Sequence, residues 1–206
     1  MGRPREHDDE TREALRAAAE RLFDEQGPDA VTVRAVAGEV GVTTRAVYSL
    51  FGSRDGLLVD ALAQRAYEIL EQGLDDQVET DDPAADLIDA GLTVFRPFVR
   101  EHPALFRITF QRVVPGAEPG PELVATRERA FAKLTAKVGR LEEAGLLRGT
   151  PLEIAVGEFQ ALCEGLGNLE LRGQQMPVLA AGGEEATWRA ALTSLVTGMT
   201  SRRRRR

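Results

Sequence analysis

The sequence contains a single cysteine, so it cannot form an internal disulfide. Cys163 lies in the apolar run "VGEFQALCEGLGNL", where a small buried side chain is expected rather than a reactive thiol. Aromatic residues make up only 5% of the chain and tryptophan occurs once, so nothing indicates a carbohydrate-binding surface or an aromatic cage.

Long hydrophobic runs are also missing. No apolar stretch approaches the roughly 18 residues that a membrane-spanning helix needs. The N-terminus, "MGRPREHDDETREALR", is charged throughout and lacks the apolar segment of a signal peptide. We therefore expect a cytoplasmic protein with no membrane partner.

Strand signals are scarce, because only "AVTV" and "FRITFQRVV" are dense in β-branched residues. Elsewhere apolar residues recur at steps of three and four, which is the spacing of amphipathic helices. The sequence therefore predicts an all-α protein of about nine helices. They are expected near residues 9–26, 33–40, 44–50, 54–70, 83–101, 103–113, 121–145, 151–173 and 183–200.

These helices group into an N-terminal three-helix unit that a long helix joins to a larger helical domain. We predict a DNA-binding domain over residues 1–53 and a ligand-binding and dimerisation domain over residues 54–201. An arginine tail occupies residues 202–206.

The N-terminal unit has the pattern of a helix-turn-helix, in which two short helices meet at a tight glycine-containing turn. Thr32 and Thr43 are placed to cap the two short helices, and Gly41 separates them. Val47 is expected to face inward, which fixes the angle of the second short helix.

The opposite side of that second short helix carries hydroxyls, a phenol and a guanidinium, with no acidic residue: Thr44, Arg45, Tyr48 and Ser49. Such groups can bond base edges and phosphate oxygens when a helix lies in the major groove of DNA. The helix N-termini at Thr32 and Thr43 favour phosphates, and Arg54 is placed to bind a neighbouring phosphate. The alternative is a helical hairpin with a polar solvent-facing side.

The net charge of −7 argues weakly against a nucleic-acid partner, since many binders are basic. Some basic residues, however, are concentrated at the two ends. Arg3 and Arg5 are expected to precede the first helix in a flexible arm, which either enters an A·T-rich minor groove or only adds solubility. The five terminal arginines either strengthen phosphate attraction or have no part in DNA binding.

The stretch "VTVRAVAGEVGVTTRAVYSLFGSRDGLLVDAL" resembles the N-terminal domain of the TetR family of transcriptional regulators, over roughly residues 9–62. Gly52 departs from the pattern, because many relatives have a lysine there. The resemblance implies a homodimer, built on a four-helix bundle of the last two helices, that binds a double-stranded DNA operator of palindromic sequence. It also implies a repressor that a small-molecule effector of unknown identity releases.

Helices that are apolar on more than one face are buried on two sides. The last two predicted helices have this pattern, so one side is expected in the core and another against a partner subunit. The alternative is that both helices are internal to one bundle. The predicted interface residues are Leu162, Leu166, Leu169, Trp188, Leu192, Leu195, Val196 and Met199.

Five of the eight phenylalanines lie in residues 83–145, where the resemblance implies a small-molecule pocket. Helical spacing alone places these side chains in the core, so core packing and ligand contact both stay open. The candidate pocket residues are Phe95, Phe98, Phe106, Thr109, Phe110 and Phe131.

An enzyme is the alternative from a different class, but its signals are weak. The two histidines, His7 and His102, do not have metal-ligand spacing. The carboxylates of "ETDDPAAD" are of the kind that metal-dependent enzymes use, although acids at a helix N-terminus also favour the helix dipole. We predict no catalytic residue, metal or cofactor. A helical ligand-binding protein without DNA binding is the remaining alternative.

Overall fold

The computed structural model describes residues 3–111, 119–147, 149–173 and 183–200, with side chains from residue 8 onward. The described residues form helices and connecting segments and contain no strand. Counting helices that run on through a π-helical segment as one, the described residues form nine, which confirms the predicted all-α class. Every helix in these ranges is too short or too polar to span a bilayer.

Ten α-helices follow one another within the described residues. A π-helical segment, Gly56–Leu62, leads directly into the fourth helix, and a second, Gly91–Phe95, joins the fifth to the sixth. The bounds are α1 Arg3–Gln26, α2 Val33–Val40, α3 Thr44–Phe51, α4 Ala63–Asp75, α5 Pro83–Ala90, α6 Arg96–Glu101, α7 Pro103–Phe110, α8 Pro121–Glu143, α9 Leu152–Arg172 and α10 Gly183–Thr200.

The first helix starts earlier than the sequence predicted. The expectation that Arg3 and Arg5 lie in a flexible arm before the first helix is wrong, since α1 begins at Arg3. Pro4 falls in the first turn, where a missing backbone N–H breaks no intrahelical hydrogen bond. The side chains of both arginines, and the tail at residues 202–206, lie outside the described residues.

The chain divides into two compact units. Unit 1 consists of Met1–Glu68 and His102–Arg127, and unit 2 consists of Ile69–Glu101 and Glu128–Arg206. Unit 1 therefore contains α1, α2, α3, the first π-helical segment and the start of α4, together with α7 and the start of α8. The functional boundaries at residues 53 and 201 stay predictions.

Unit 1 is built around α1, which packs against α2, α3, α7 and the first π-helical segment. Its buried apolar face follows the predicted spacing, with Leu15, Ala19 and Phe23 among the residues removed from solvent. The two short helices close over this face, and the Val47 side chain is completely buried. An eight-residue helix is not stable alone in water, so this packing holds α3 in place.

Both short helices begin at the predicted caps. The Thr32 hydroxyl accepts a hydrogen bond from the Ala35 N–H at 3.1 Å, and the Thr43 hydroxyl accepts one from the Ala46 N–H at 3.3 Å. Gly41 ends α2 with a φ of 74°, a left-handed conformation that favours glycine. These local signals explain why the predicted bounds of α2 match the structure.

The first π-helical segment depends on Gly56. A Cβ atom at this position would lie 2.1 Å from the Phe51 carbonyl oxygen, which is far inside van der Waals contact. The chain can therefore pass this close to the end of α3 only with glycine there. Ser53 caps the start of this helix, since its hydroxyl accepts from the Gly56 N–H at 2.9 Å.

Arg54 acts as a brace, because its side chain bonds the backbone just before the helix-turn-helix. Its Nε donates to the Val31 carbonyl oxygen at 2.7 Å, and its Nη2 donates to the Pro28 carbonyl oxygen at 2.6 Å. Both carbonyls lie in the connection between α1 and α2. One guanidinium thus ties that connection to the residues just before the π-helical segment.

Unit 2 has its own apolar core, in which α10 packs against α5, α9 and the second π-helical segment. Trp188, Leu192 and Phe159 are buried there. Cys163 is also buried, and burial, with a smaller effect from Glu164, raises the pKa of its thiol. The interpretation of Cys163 as a small core residue agrees with this position.

The acidic segment before α5 has structural partners. Asp82 caps α5 by accepting from the Ala84 and Ala85 N–H groups. Asp86 is buried and accepts from the Thr80 N–H at 2.8 Å, from the Thr80 hydroxyl at 2.7 Å and from Arg140. Among the described residues no cluster of His, Cys, Asp and Glu could hold a metal ion. Through these bonds Asp82 stabilises the start of α5, and Asp86 stabilises its junction with α8.

Replacing Arg54 with alanine tests the brace. Arg54→Ala removes two charge-assisted hydrogen bonds and leaves the Val31 carbonyl without that donor, while the Pro28 carbonyl keeps its bond from the Val31 N–H. The free energy of unfolding should therefore fall by about 2–4 kcal/mol. Urea denaturation followed by far-UV circular dichroism measures this. Arg65→Ala, on α4, removes a guanidinium without such bonds and should change stability far less. An equal loss in both variants would contradict a bracing role.

A second prediction concerns Asp86 and pH. Burial alone would raise the pKa of Asp86, but the hydrogen bonds from Arg140 and Thr80 lower it below its ordinary value. Stability from a carboxylate with a lowered pKa is fully present above the unfolded pKa of about 3.9, and is lost as pH falls through the folded pKa.

Asp86→Asn should therefore destabilise the protein by about 3 kcal/mol at neutral pH, because it leaves Arg140 without its buried partner. The difference from the unmodified protein should shrink on acidification below about pH 4. Urea titrations at a series of pH values measure both effects. The control, Asp89→Asn on α5, should keep the original pH dependence. A constant difference between Asp86→Asn and the unmodified protein would disagree with the lowered pKa.

Candidate nucleic-acid interface

The predicted recognition residues lie on the outer side of α3. Thr44, Arg45 and Ser49 are exposed, and the Tyr48 side chain is 54% exposed although it is a large aromatic residue. Val47, between them in sequence, is completely buried. Helix α3 therefore has one apolar face in the core and one polar face in solvent.

The four polar side chains have no partners within the described part of the protein. None of them forms a hydrogen bond or an ion pair with any described residue. Exposed guanidinium and hydroxyl groups are then free to bond an external ligand. By contrast, Arg21 on α1 pairs with Glu39 on α2 at 3.2 Å, as an ordinary surface residue does.

Charge at the N-terminal ends of the two short helices affects how they interact with a phosphate. Neither α2 nor α3 has an acidic residue in its first turn. Thr32 and Thr43 are exposed at these helix N-termini, but their hydroxyls already accept from Ala35 and Ala46. An anion at these helix ends would therefore interact with the backbone N–H groups and the helix dipole, and not with the side chains of the caps.

Sequence reasoning missed Arg34. It lies in the first turn of α2, is exposed, and pairs with no described residue. A cation at a helix N-terminus opposes the helix dipole, so its presence there needs another reason. The unfavourable placement of Arg34 was visible in the sequence and could have identified it as a candidate binding residue. Arg34 joins the candidate interface as a candidate phosphate ligand.

Arg54 occupies a different position from the recognition residues. Its side chain is half-buried, and two of its donors bond the Val31 and Pro28 carbonyls. A third nitrogen lies 3.8 Å from Asp55. The phosphate contact suggested for Arg54 stays a prediction, while its described contacts stabilise the turn.

The candidate pocket residues are distributed over both units. Phe106, Thr109 and Phe110 belong to unit 1, and Phe95, Phe98 and Phe131 belong to unit 2. In unit 1, Phe110 packs against Phe106 at 5.3 Å between ring centroids. In unit 2, Phe95 packs against Phe98 and Trp188. These contacts are core contacts, and the ligand role stays a prediction.

The predicted dimer residues mostly serve the core of unit 2. Leu162, Leu169 and Leu195 are partly buried, while the other five are almost fully buried. These five, Leu166, Trp188, Leu192, Val196 and Met199, have little surface left for a partner within the described structure. Most of the apolar residues of α9 and α10 thus pack within the core of unit 2. Their role in a dimer interface stays a prediction.

The outer faces of α9 and α10 have another composition. Exposed small residues recur every four positions: Gly157, Ala161 and Gly165 on α9, and Ala186, Ala190, Ser194 and Gly198 on α10. A spacing of four places residues on one side of a helix. Small side chains there let another helix approach closely. This four-residue repeat is present in the sequence, but it was not detected because the prediction followed the larger apolar residues.

Comparisons with known proteins agree with this architecture. Residues 15–61 match the family model described as bacterial regulatory proteins, tetR family. Residues 88–195 match the model described as tetracyclin repressor-like, C-terminal domain. No significant match is found among curated proteins.

Solved structures show the same fold. A protein of unknown function from Rhodococcus sp. RHA1 has a TM-score of 0.77 at 23% identity, over 93% of this chain and 96% of that one. The TetR family regulator PfmR from Thermus thermophilus has a TM-score of 0.63 at 23% identity, over 91% and 99%. A TetR family regulator from Marinobacter aquaeolei VT8 has 0.67 at 20%, over 96% and 100%.

The two family models together cover the helix-turn-helix and most of the remaining helices, which is well over half of the chain. The N-terminal model contains α2 and α3, including the polar face of α3. The chain belongs to the TetR family of transcriptional regulators, which bind DNA and are not enzymes.

Proposed function

We propose that this protein is a repressor that binds a palindromic operator as a homodimer, in the cytoplasm, and that a small-molecule effector releases it. The observation that carries the DNA-binding part is the face of α3, where four polar side chains are exposed and have no partner among the described residues. A free polar face of this kind is what major-groove readout requires.

In this proposal α3 lies in the major groove. Arg45 bonds a guanine through its two terminal nitrogens, and Thr44 and Ser49 contact bases or the sugar-phosphate backbone. Tyr48 donates to a phosphate, and Arg34 binds a phosphate beside the N-terminus of α2. Phosphate contacts fix the register of the helix, while the base contacts supply sequence preference.

The homodimer is proposed to form through the outer faces of α9 and α10. Their small residues, repeated every four positions, present little side-chain bulk to a partner helix. A Cβ atom added at Gly157 or Gly165 would have no neighbour within 4 Å, so these positions are open on the protein's own side. Two copies packed there would present recognition helices to successive major grooves, about 34 Å apart or slightly more.

Thr109 supports release by an effector. Its hydroxyl oxygen is buried and has no hydrogen-bond partner in the described structure. Buried polar atoms without partners are uncommon in folded proteins. A bound ligand with a polar group would satisfy this hydroxyl, and the neighbouring phenylalanines favour an otherwise apolar molecule.

In vitro selection from a random duplex library tests DNA binding. The purified protein should enrich an inverted repeat whose half-site centres lie about one helical turn apart. Arg45→Ala should weaken binding to the enriched site by about 1–3 kcal/mol and relax the preference at one base pair in each half-site. Fluorescence anisotropy with single-base variants of the site measures both changes.

Arg127→Ala is the matched control, since Arg127 is exposed in α8 and its replacement removes the same charge from the same unit. It should leave base preference unchanged. Absence of any enriched sequence would favour the alternative of a helical ligand-binding protein without DNA binding. An unchanged preference in Arg45→Ala would remove Arg45 as the base-reading residue.

A substitution on the outer face of α9 tests the dimer. Ala161→Arg places a large cation in the middle of the proposed contact, where it would block close helix approach and be desolvated. Sedimentation velocity should then find monomers at concentrations where the unmodified protein is dimeric. The control variant is Ala132→Arg, at an exposed alanine on α8, and it should remain dimeric. A dimer that survives Ala161→Arg would place the interface on another surface.

A further inference from the structure

Unit 1 contains a cleft of about 210 Å³ that the DNA-binding surface does not use. It lies among α1, the last turn of α3, the first π-helical segment and the first turn of α8. A cavity of roughly 150 Å³ is already large enough to bind benzene. The cleft can therefore hold a small organic molecule of about the size of a substituted ring.

One wall of the cleft carries a guanidinium without a counterion. Arg12 lies with its Cζ atom 5.3 Å from the centre of the Phe51 ring, a cation–π arrangement that helps to orient it. No carboxylate lies within ion-pair distance of Arg12 among the described residues. An arginine fork matches a carboxylate in geometry as well as charge.

Beside it, Arg16 is buried and partly satisfied. Its Nη1 bonds Glu13 at 2.7 Å and its Nη2 bonds Gln64 at 3.2 Å. Its Nε is buried and has no acceptor in the described structure. A charged donor is expensive to leave unpaired, so this N–H favours an acceptor supplied from outside the protein.

Three of the four acidic residues near the cleft bond groups of the protein, and the fourth faces solvent. Asp60 accepts from the Gly120 N–H at 2.7 Å. Glu13 and Glu68 both lie against Arg16. Glu122 is exposed to solvent in the first turn of α8. Among the described residues that line the cleft, Arg12 is therefore the guanidinium that no carboxylate neutralises, while the Glu122 carboxylate faces solvent.

The remaining walls are apolar. Leu123 is buried at the cleft, and Leu50 and Ala61 also line it. A ligand with a hydrophobic or aromatic body would gain by leaving water here, while its polar group stays near the arginines. The π-helical segment contributes Gly56, Asp60 and Ala61 to the lining, and such segments often occur at functional sites.

We propose that this cleft is a binding site for a small organic carboxylate with an apolar or aromatic body. The carboxylate accepts hydrogen bonds from Arg12 and from the Nε of Arg16, and the body lies against Leu50, Ala61 and Leu123. The proposal does not depend on DNA binding, because every residue it uses lies within unit 1 and off the outer face of α3.

The test uses 4-fluorobenzoate and its neutral analogue 4-fluorobenzamide, which have nearly the same shape. Each is titrated with the full-length protein without DNA and followed by ¹⁹F NMR. The benzoate should bind saturably with a Kd in the millimolar range or tighter, roughly what a ligand of this size can reach. The benzamide should bind about tenfold more weakly or worse, because it lacks the charge that pairs with Arg12.

Three variants locate the site. Arg12→Gln should weaken benzoate binding about tenfold or more, whereas Arg21→Gln, on the same helix but paired with Glu39, should leave it unchanged. Ala61→Met fills the cleft and should abolish binding. Thermal unfolding of each variant confirms that it is folded, and a variant that is not folded is replaced by Gln64→Leu, which should also weaken binding.

Three results would overturn the proposal: no saturable benzoate binding, equal binding of benzamide, or undiminished binding to Ala61→Met. These results are separate from the DNA experiments. A protein that selects an operator but binds no benzoate would keep the proposed function and lose this site, and the reverse outcome would do the opposite.

Discussion

The burial of Val47 is the contact on which the DNA-binding surface depends. Helix α3 has only eight residues, too few to be stable in water without tertiary support. Val47 fixes its inner side in the core, the Thr43 cap fixes its start, and Arg54 holds the connection between α1 and α2. The outer side chains can remain unpaired in solvent because these inner contacts already stabilise the helix.

Short-range signals were readable from the sequence. The bounds of α2, both threonine caps and the exposed polar side of α3 follow from residues within a few positions of each other. Such features depend on backbone geometry that neighbouring residues decide. The early start of α1 was missed because a charged segment containing proline looked like an arm, although proline is tolerated in a first helical turn.

Long-range features were not readable. The hydrogen bonds of Arg54 join residues more than twenty positions apart. The sequence around Arg54 does not show whether its side chain binds a phosphate or the protein's own backbone. The π-helical segments widen a helical turn by about one residue. This changes the spacing of apolar residues too little for the sequence pattern to reveal the segments. For α9 and α10, apolar width alone could not separate a helix buried by its own chain from one buried by a partner.

The close contact at Gly56 has a practical consequence for chimeric regulators. A π-helical segment contains more residues per turn than an α-helix, so a replacement sequence that forms a regular α-helix from Gly56 to Leu62 would turn the side chains beyond the segment relative to those before it. A designer who transfers this DNA-binding module to another protein should place the junction beyond Leu62. A seam within the segment would misalign α4 even if every individual residue were acceptable.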